Sequence, residues 1–589
     1  HLREDLSKRE GIPRGEIVWD HDWINRTFIA ENFNIQNGKA IVSRNVSSIK
    51  GGWDISNNAS VTFGVIPNKE NTICTRSDWT GATTCQSVNL TDPSVIKSIP
   101  TTQVNGHISL SDHARLNVNG LVSLNGSISA HSDSEYHLTH KANQAGDIHL
   151  EDNAQARIND ATMTGDMIAS DNTNISIANH STTNGSIQIT DNANLNIDSS
   201  TVNGNLQAIK DNELTVTNSA QVNGNVTLNK NATYTLKDQA VQVGNLNTLG
   251  NNRITLSNHA RLNGLLDLAT DSSIADITKS IINGNVRSTG RVNVNDASQI
   301  NGSVSLSNIG EMTMDHSQLT GNLTAQEYST YRLINKATHQ GNLILRDQAD
   351  AIVDDANLIG DAQLTNSAQL KFNNSRFNHQ ITGENATYVT LNQSQWTMPT
   401  STTLGSLTLN NGTVTLNPDF AKETNRNQFN TLTINGDLNG SGTFNYPTHL
   451  NQYLGDKLQV NGQAQGTFKL NVRNTGTEPT RLDHLTLISL RTMPTTGLDV
   501  SLTNQYVDAG AWRYELIKDG NQYRLYSPIK ESELKQAEAD RIEAEKRKAQ
   551  EEQERIEAEK RKAQEEAERI EAEKRKAQEE QERIEAEKR

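Results

Sequence analysis

The sequence predicts an all-β chain: a right-handed parallel β-helix of about 20 residues per coil, then a C-terminal β cap and a charged single α-helix. Short runs that alternate apolar and polar residues, which is strand periodicity, lie between regularly spaced glycines. Hydrophobic residues make up 34% of the chain and aromatic residues 4%, so the core has to be thin and repetitive. The glycines are 18 to 20 residues apart, at positions 106, 126, 146, 165, 185, 204, 224, 244, 264, 284, 302, 321, 341 and 360.

One repeat unit, residues 185–204, shows how a coil is predicted to form. Its three strands point these apolar side chains inward: Ile187 and Ile189, Leu195 and Ile197, and Val202. Their outward neighbours are expected to face water: Gln188, Asn194 and Asn196. No coil buries its apolar face alone, so stacking at ~4.8 Å supplies the core, and equivalent Asn, Thr and Ser residues are expected to form ladders.

Most of the repeat glycines follow an asparagine, as in Asn184–Gly185. We interpret this pair as a tight turn, because Asn-Gly accommodates left-handed backbone. A leucine-rich repeat has a similar period but needs a Leu-dense signature that these units lack. A string of sandwich domains would not hold one period over fourteen units.

Composition divides the chain into five segments. Residues 1–100 are expected to form irregular N-terminal coils, and 101–400 the regular β-helix. Residues 401–428 are rich in loop, 429–527 form the cap, and 528–589 are a charged helical repeat. A cap is expected because the open end of a β-helix invites pairing with another edge.

Cys74 and Cys85 are the only cysteines of the sequence. Two cysteines so close, with none elsewhere, predict a disulfide-closed loop in an oxidising compartment. Such a bond is worth ~3 kcal/mol in the chain-entropy model. A pair of free buried thiols is the alternative, and a metal site is disfavoured because no further ligands are nearby.

The cap is predicted to be held together by apolar residues of its strand-like runs. A hairpin is expected around Asp519-Gly520-Asn521. We interpret Trp512 as a core anchor rather than a ligand platform. The predicted core residues of the cap are Phe429, Leu432, Ile434, Trp512, Tyr514 and Leu516.

After Pro528, a fourteen-residue unit that begins at Arg541 recurs at 555 and 569. It is rich in helix formers and in oppositely charged i, i+4 pairs. Ile542 and Ala549 stand for the one apolar position in each heptad, which is too little for a coiled-coil seam. We expect a solvated single helix that acts as a spacer, with weak self-association as the alternative.

The composition excludes several classes of function. The formal net charge is −15 without a basic stripe, which argues against nucleic-acid binding. No catalytic, phosphate-binding or metal-binding motif occurs, so no catalytic residue, metal ligand or cofactor is assigned. His113 and His259 are interpreted as turn residues. Because the chain starts at His1 without a signal peptide and stops within a repeat, we expect a fragment of a larger precursor.

Five segments resemble the passenger region of autotransporter serine endopeptidases. They are Val18–Phe28, Val42–Val46, Asn71–Gly81, Phe429–Gly436 and Val507–Tyr514. The resemblance covers residues 1 to about 535. It is strongest to the immunoglobulin A proteases of Neisseria and Haemophilus, with adhesion-and-penetration proteins as relatives. The charged tail departs from it.

The resemblance implies a secreted protein on the surface of a Gram-negative cell, with a protease domain upstream and an outer-membrane barrel downstream as its partners. Host immunoglobulin A or a host surface would be the external partner. The family's catalytic residues have no positions here, so this segment is not expected to be an enzyme. Residues 429–527 resemble the autochaperone region. The leading hypothesis is a non-catalytic stalk that displays a protease and assists secretion; the alternative is an adhesin or self-associating segment.

Overall fold

The computed structural model describes the backbone of residues 16–19, 27–42, 48–64, 71–76, 80–88, 101–120, 122–421, 428–493 and 497–589. Successive coils stack in parallel into two long sheets, and a seven-stranded sheet lies at the C-terminal end. The chain forms an all-β parallel solenoid of about 17 turns followed by a helix. The predicted parallel β-helix is therefore confirmed.

Each regular coil gives one strand to the first long sheet and two shorter strands to the second. The long face consists of Arg115–Val118, Glu135–Thr139, Gln155–Asn159, Asn174–Ala178, Asn194–Asp198, Glu213–Thr217, Thr233–Lys237, Arg253–Ser257, Ile274–Thr278, Arg291–Asn295, Glu311–Asp315, Thr330–Ile334, Asp350–Asp354, Gln369–Asn373 and Tyr388–Asn392. The first short face consists of Thr102–Asn105, Val122–Asn125, Asn143–Ala145, Thr162–Thr164, Thr182–Asn184, Thr201–Asn203, Gln221–Asn223, Val241–Val243, Arg261–Asn263, Ile281–Asn283, Gln299–Asn301, Gln318–Thr320, Thr338–Gln340 and Asn357–Ile359. The second short face consists of Ile108–Leu110, Ile128–Ala130, Ile148–Leu150, Met167–Ala169, Ile187–Ile189, Leu206–Ala208, Val226–Asn229, Leu246–Leu249, Leu266–Leu268, Val286–Ser288, Val304–Leu306, Leu323–Ala325, Leu343–Leu345, Ala362–Leu364 and Ile381–Gly383.

The core runs along the axis of the stack and is built from the inward residue of each alternating pair. In the coil 185–204 the five predicted inward side chains are all buried, whereas Asn194 and Asn196 are exposed and Gln188 is half-buried. Each fully buried aliphatic side chain contributes ~1.5–3 kcal/mol, which accumulates coil by coil. The alternation predicted from the sequence is therefore confirmed in this coil.

Glycine occupies the corner between the two short faces because adjacent coils touch there. A Cβ added to Gly224 would lie 2.1 Å from the carbonyl oxygen of Gly204. The repeat glycine is therefore required by the close approach of adjacent coils, and the predicted left-handed turn explains only part of its recurrence. Left-handed pairs of residues lie instead at the other corners, where His113 has φ 60° and His259 has φ 67°. Both histidines are turn residues, as predicted.

The N-terminal strands extend the same sheets. Glu16–Trp19, Lys39–Val42 and Ser60–Phe63 pair in parallel with the long face, and Thr27–Gln36 and Ser48–Ser56 continue the short faces. Inside these coils Trp53 is buried, with its ring stacked on Phe33 at 4.5 Å between centroids.

The segment with the two cysteines forms a separate antiparallel hairpin of Asn71–Arg76 and Thr83–Val88. The backbones of Cys74 and Cys85 are directly opposite each other in this pair. Their side chains lie outside the described residues, so the disulfide stays a prediction.

Beyond residue 415 the coils become larger, but parallel pairing continues to Leu498–Leu502. Residues 422–427 of the predicted loop-rich segment lie outside the described residues. A short 3-10 helix spans Pro418–Ala421. The remaining strands of the stack and the cap are Arg376–Phe377, Gln395–Thr397, Thr402–Leu404, Ser406–Thr415, Thr431–Ile434, Leu438–His449, Leu454–Gly455, Lys457–Val460, Gly466–Asn474, Leu485–Leu490, Leu498–Leu502, Val507–Ala509, Trp512–Asp519 and Gln522–Tyr526.

The final three strands are antiparallel, and the predicted hairpin at Gly520 joins the last two. One α-helix, Pro528–Glu587, follows directly and buries none of its residues. Salt bridges link its turns, for example Arg555 to Glu552 at 2.5 Å and Arg583 to Glu580 at 2.8 Å. Among the described residues, no helix has the length and apolar character needed to cross a membrane.

Candidate interaction surface

The first short face is almost free of charge. Of its outward side chains, all at least partly exposed, only Arg261 is charged, although the chain as a whole carries a net charge of −15. Most of the others are amides and hydroxyls, which both donate and accept hydrogen bonds. The outward residues are Gln103, Asn105, Ser123, Asn125, Asn143, Ala145, Thr162, Thr164, Thr182, Asn184, Thr201, Asn203, Gln221, Asn223, Val241, Val243, Arg261, Asn263, Ile281, Asn283, Gln299, Asn301, Gln318, Thr320, Thr338, Gln340, Asn357 and Ile359.

Asparagines along one edge of this face form the expected ladders. Each side-chain amide nitrogen donates to the side-chain oxygen of the asparagine one coil earlier. The distances are 2.9 Å for Asn203 to Asn184, 2.7 Å for Asn223 to Asn203, and 2.8 Å both for Asn283 to Asn263 and for Asn301 to Asn283. These bonds hold the amides in fixed orientations, so the face presents a pre-organised row of polar groups.

Apolar side chains interrupt the row at a few coils. Val243 and Ile359 are 43% and 44% exposed, and Val241 and Ile281 are half-buried beside Arg261. The polar pattern therefore changes over the three successive coils of Val241, Arg261 and Ile281, and again in the last coil at Ile359.

The long face differs because it carries charges of both signs. Arg253 pairs with Asp276 at 3.1 Å, and Arg291 pairs with Glu311 at 3.1 Å, in each case one coil apart. These pairs are exposed and contribute little to stability, roughly 0–1 kcal/mol each. The long face therefore carries more charge than the first short face, a difference that becomes visible only when the repeat is folded into its faces.

The predicted core residues of the cap fall into two groups. Leu432, Ile434 and Tyr514 are buried, and the Tyr514 hydroxyl lies 2.8 Å from the Tyr453 hydroxyl. The other three are only partly buried: Phe429, Trp512 and Leu516.

Trp512 contacts both the cap and the helix. Its ring is stacked near Tyr514 with centroids 6.5 Å apart, and the Lys530 Nζ of the helix lies 5.4 Å from the indole ring. Trp512 is thus partly buried, packs against the core cluster and also contacts the start of the helix, so its role as a core anchor stays a prediction.

The larger coils contain a buried carboxyl group, that of Asp456, which the sequence did not predict. Asp456 has no exposed surface, and one of its oxygens accepts hydrogen bonds from the Asn430 backbone N–H at 2.6 Å and from the Asn417 side chain at 3.4 Å. The other oxygen is buried without a partner among the described residues. Burial raises the pKa of Asp456 to about 7, against the lowering effect of these two donors. Asp456 thus joins Asn417 to Asn430 through a buried carboxyl group whose pKa is raised.

Two buried tyrosines are each paired with a glutamine eight residues further on. The Tyr136 hydroxyl donates to Gln144 Oε1 at 2.9 Å, and Tyr234 makes the same bond to Gln242 at 2.9 Å. Burial raises the pKa of both hydroxyls, so they remain protonated donors.

In a later coil the partner is a histidine. His339 stands eight residues after Tyr331, and its Nε2 lies 2.8 Å from the Gly321 carbonyl oxygen. The Tyr331 hydroxyl and His339 Nδ1 are buried without a hydrogen-bond partner among the described residues. Burial lowers the pKa of His339 to about 4, only partly offset by the bond to Gly321, so the ring is neutral at pH 7.

Among the described residues, no group of three or more His, Cys, Asp or Glu side chains is arranged to hold a metal ion.

Two family models match the chain. Residues 4–138 match the second beta-solenoid repeat region of the PIC/HAP1/IgA0 type, and residues 404–527 match Pertactin. The adhesion and penetration protein autotransporter of Haemophilus influenzae is 34% identical over 552 residues, which is 90% of this chain and 26% of that protein. This chain thus spans about a quarter of that relative's length.

The immunoglobulin A1 protease autotransporter of Haemophilus influenzae is 31% identical over 228 residues, covering 37% of this chain and 12% of that protein. The sequence resemblance placed the immunoglobulin A proteases first, but the match to the adhesion and penetration protein extends over far more of the chain. The crystal structure of the Haemophilus influenzae Hap adhesin aligns with 86% of this chain and 64% of that chain, with a TM-score of 0.44 and 22% identity. The chain is similar to autotransporter passengers, and these homologues are secreted to the cell surface through the outer membrane.

Proposed function

We propose that this chain is an adhesive segment of a cell-surface passenger and that the first short face is its binding surface. The observation that carries the proposal is the near absence of charge on this face of a chain with net charge −15. Two copies that approach through it avoid the repulsion that their net charges impose elsewhere. Amides and hydroxyls are self-complementary, since each group both donates and accepts.

The size of the face supports the proposal. Fourteen coils at the usual strand spacing form a strip about 65 Å long and about 10 Å wide. Face-to-face docking would bury roughly 1,300 Å² in total, at the lower end of the standard range for specific interfaces. The name of the relative that matches 90% of the chain, an adhesion and penetration protein, also favours adhesion.

The experiment adds charge to one face at a time. The triple variant Thr182→Glu, Gln221→Glu, Gln299→Glu places three carboxylates on the first short face. The matched control Asn194→Glu, Thr233→Glu, Gln369→Glu places the same charge on the long face. Readouts are the self-association of the purified chain by sedimentation velocity and the adhesion of beads that carry it to one another and to host-cell layers.

We expect the first triple variant to lose at least ~10-fold in association while the control stays near wild type, because buried like charges cost ~1.4 kcal/mol or more. The proposal would be wrong if both triple variants lost association equally. It would also be wrong if the wild-type chain neither self-associated nor adhered in any of the assays. Adhesion to host cells without self-association would assign the same face to a host partner instead.

A stalk that carries a protease is the second candidate, favoured by the uniform coils and by the match to an immunoglobulin A1 protease autotransporter. In that role the partners are an upstream protease domain and a downstream outer-membrane barrel, and host immunoglobulin A would be the substrate of the whole protein. The closing strands would template folding of the slow parallel coils. Tyr514→Ala in the full precursor should then reduce folded passenger at the surface, and normal display of a folded passenger would argue against templating.

A further inference from the structure

The sequence contains fourteen Asn-Gly steps, the dipeptide most prone to spontaneous deamidation. In this reaction the glycine backbone nitrogen loses its proton and attacks Cγ of the asparagine side chain. The bond from Cγ to the side-chain nitrogen breaks, ammonia leaves and a five-membered succinimide forms. Water then opens the ring to aspartate or isoaspartate, so each event places a carboxylate where a neutral amide stood.

Eight of these steps lie at the corner between the two short faces. In each, the glycine N–H donates to a backbone carbonyl of the next coil at 2.9–3.0 Å. That bond holds the attacking nitrogen away from the side chain and makes its proton harder to remove. The asparagines are Asn105, Asn125, Asn184, Asn203, Asn223, Asn263, Asn283 and Asn301.

The side chains at this corner are restrained as well. Asn125 donates to Asn105 at 3.0 Å, and the asparagine ladders described above fix most of the others. Succinimide closure would require the amide to leave its ladder and the glycine nitrogen to leave its carbonyl in the same opening event. Such events are rare inside a stacked sheet.

Two further steps lack the side-chain ladder. Asn37, with φ 59°, lies in the turn between Thr27–Gln36 and Lys39–Val42, and Asn411, with φ 57°, lies where the register of Ser406–Thr415 shifts. Both side chains are exposed, and neither forms a side-chain hydrogen bond to another described residue. An exposed amide next to glycine in a local irregularity can rotate toward the backbone nitrogen without opening a coil.

We propose that Asn37 and Asn411 are deamidation sites of the folded chain, and that the bonding between coils keeps the eight corner asparagines as amides. The protection matters for the surface described above, because carboxylates at these corners would place a column of negative charge along the first short face. This inference does not depend on what that face binds.

The test is peptide mapping by mass spectrometry of the full chain after incubation at mildly alkaline pH in ¹⁸O-labelled water, which marks each ring opening. The same chain unfolded in denaturant supplies the unprotected rate for every step. We expect Asn37 and Asn411 to convert in the folded chain within about tenfold of their unfolded rates and the corner asparagines to be slowed at least ~100-fold.

The variants Asn37→Gln and Asn411→Gln serve as controls, since glutamine closes the ring much more slowly, and each should remove label at one site only. Corner asparagines that convert in the folded chain as fast as in denaturant would overturn the proposal. It would equally be overturned if Asn37 and Asn411 were slowed as much as the corner positions.

Discussion

Replacing Asp456 by asparagine should make the cap more stable at alkaline pH and leave it unchanged in acid. The carboxyl group has a folded pKa of about 7 against an ordinary value of 3.8, because it is buried with one oxygen unpartnered among the described residues. A raised pKa means that the folded state binds the proton more tightly. The stability linked to this proton is therefore fully present below about pH 3.8 and is lost as the pH rises through about 7.

The magnitude follows from the size of the shift. About three pKa units at 1.36 kcal/mol each give ~4 kcal/mol as an upper bound for the loss between pH 4 and pH 8. The amide introduced by Asp456→Asn would keep the oxygen that accepts from Asn430 and Asn417 but cannot ionise. One polar atom of residue 456 lacks a partner in both the wild-type chain and the variant. Near pH 4 the local unfolding free energies of the two proteins should therefore agree within ~1 kcal/mol.

Hydrogen–deuterium exchange of the native chain is the appropriate assay, because a long repeat array does not unfold in a single two-state step. Protection of Thr431–Ile434, which follows Asn430, and of Lys457–Val460, which follows Asp456, should rise in Asp456→Asn by at least ~10-fold at pH 8 and not at pH 4. The control is Asp499→Asn, which removes an exposed carboxylate from the cap. It should leave the protection of both strands unchanged at pH 8 and at pH 4. A ratio of variant to wild-type protection that does not vary with pH would refute the reasoning.

Three further predictions concern the core, the junction and the corner. His339→Gln should restore the bonding that Gln242 gives Tyr234 and raise local stability by ~1–2 kcal/mol at pH 7. Because the pKa of His339 is lowered to about 4, the wild-type coil should lose stability as the pH falls from 6.5 through 4, and hydrogen exchange of the variant should not show that loss. Trp512→Ala should cost ~1–2 kcal/mol rather than the ~3–5 of a fully buried aromatic, and a cost in the higher range would support its role as a core anchor. Gly224→Ala should lower the local stability by more than ~4 kcal/mol because its Cβ meets a backbone oxygen, whereas Gly520→Asn, in an open turn, should lower it by less than ~1 kcal/mol; hydrogen exchange of the neighbouring strands measures both.

The β-helix was predictable because the alternation of apolar and polar residues that buries one side of each strand recurs in every coil. Inward residues such as Ile187 and Leu195 recur at one spacing, and every coil supports the same interpretation. Trp512 was harder, since hydrophobicity alone does not distinguish a core position from a junction that a later helix covers. Asp456 and His339 were missed for a different reason: each is one polar residue whose burial depends on coils about 20 or more residues away.

The regularity that makes the first short face a plausible binding surface also limits how specific it can be. Identical asparagines in successive coils offer the same contacts after a shift of one coil, ~4.8 Å, so uniform ladders leave the register of two docked copies undefined. Only the coils that depart from the pattern can set it. Val241, Val243, Arg261 and Ile281 form the one stretch of this face that combines apolar side chains with a charge. Affinity should therefore come from the whole length of the face, whereas the register of any docked partner should be decided within these three coils.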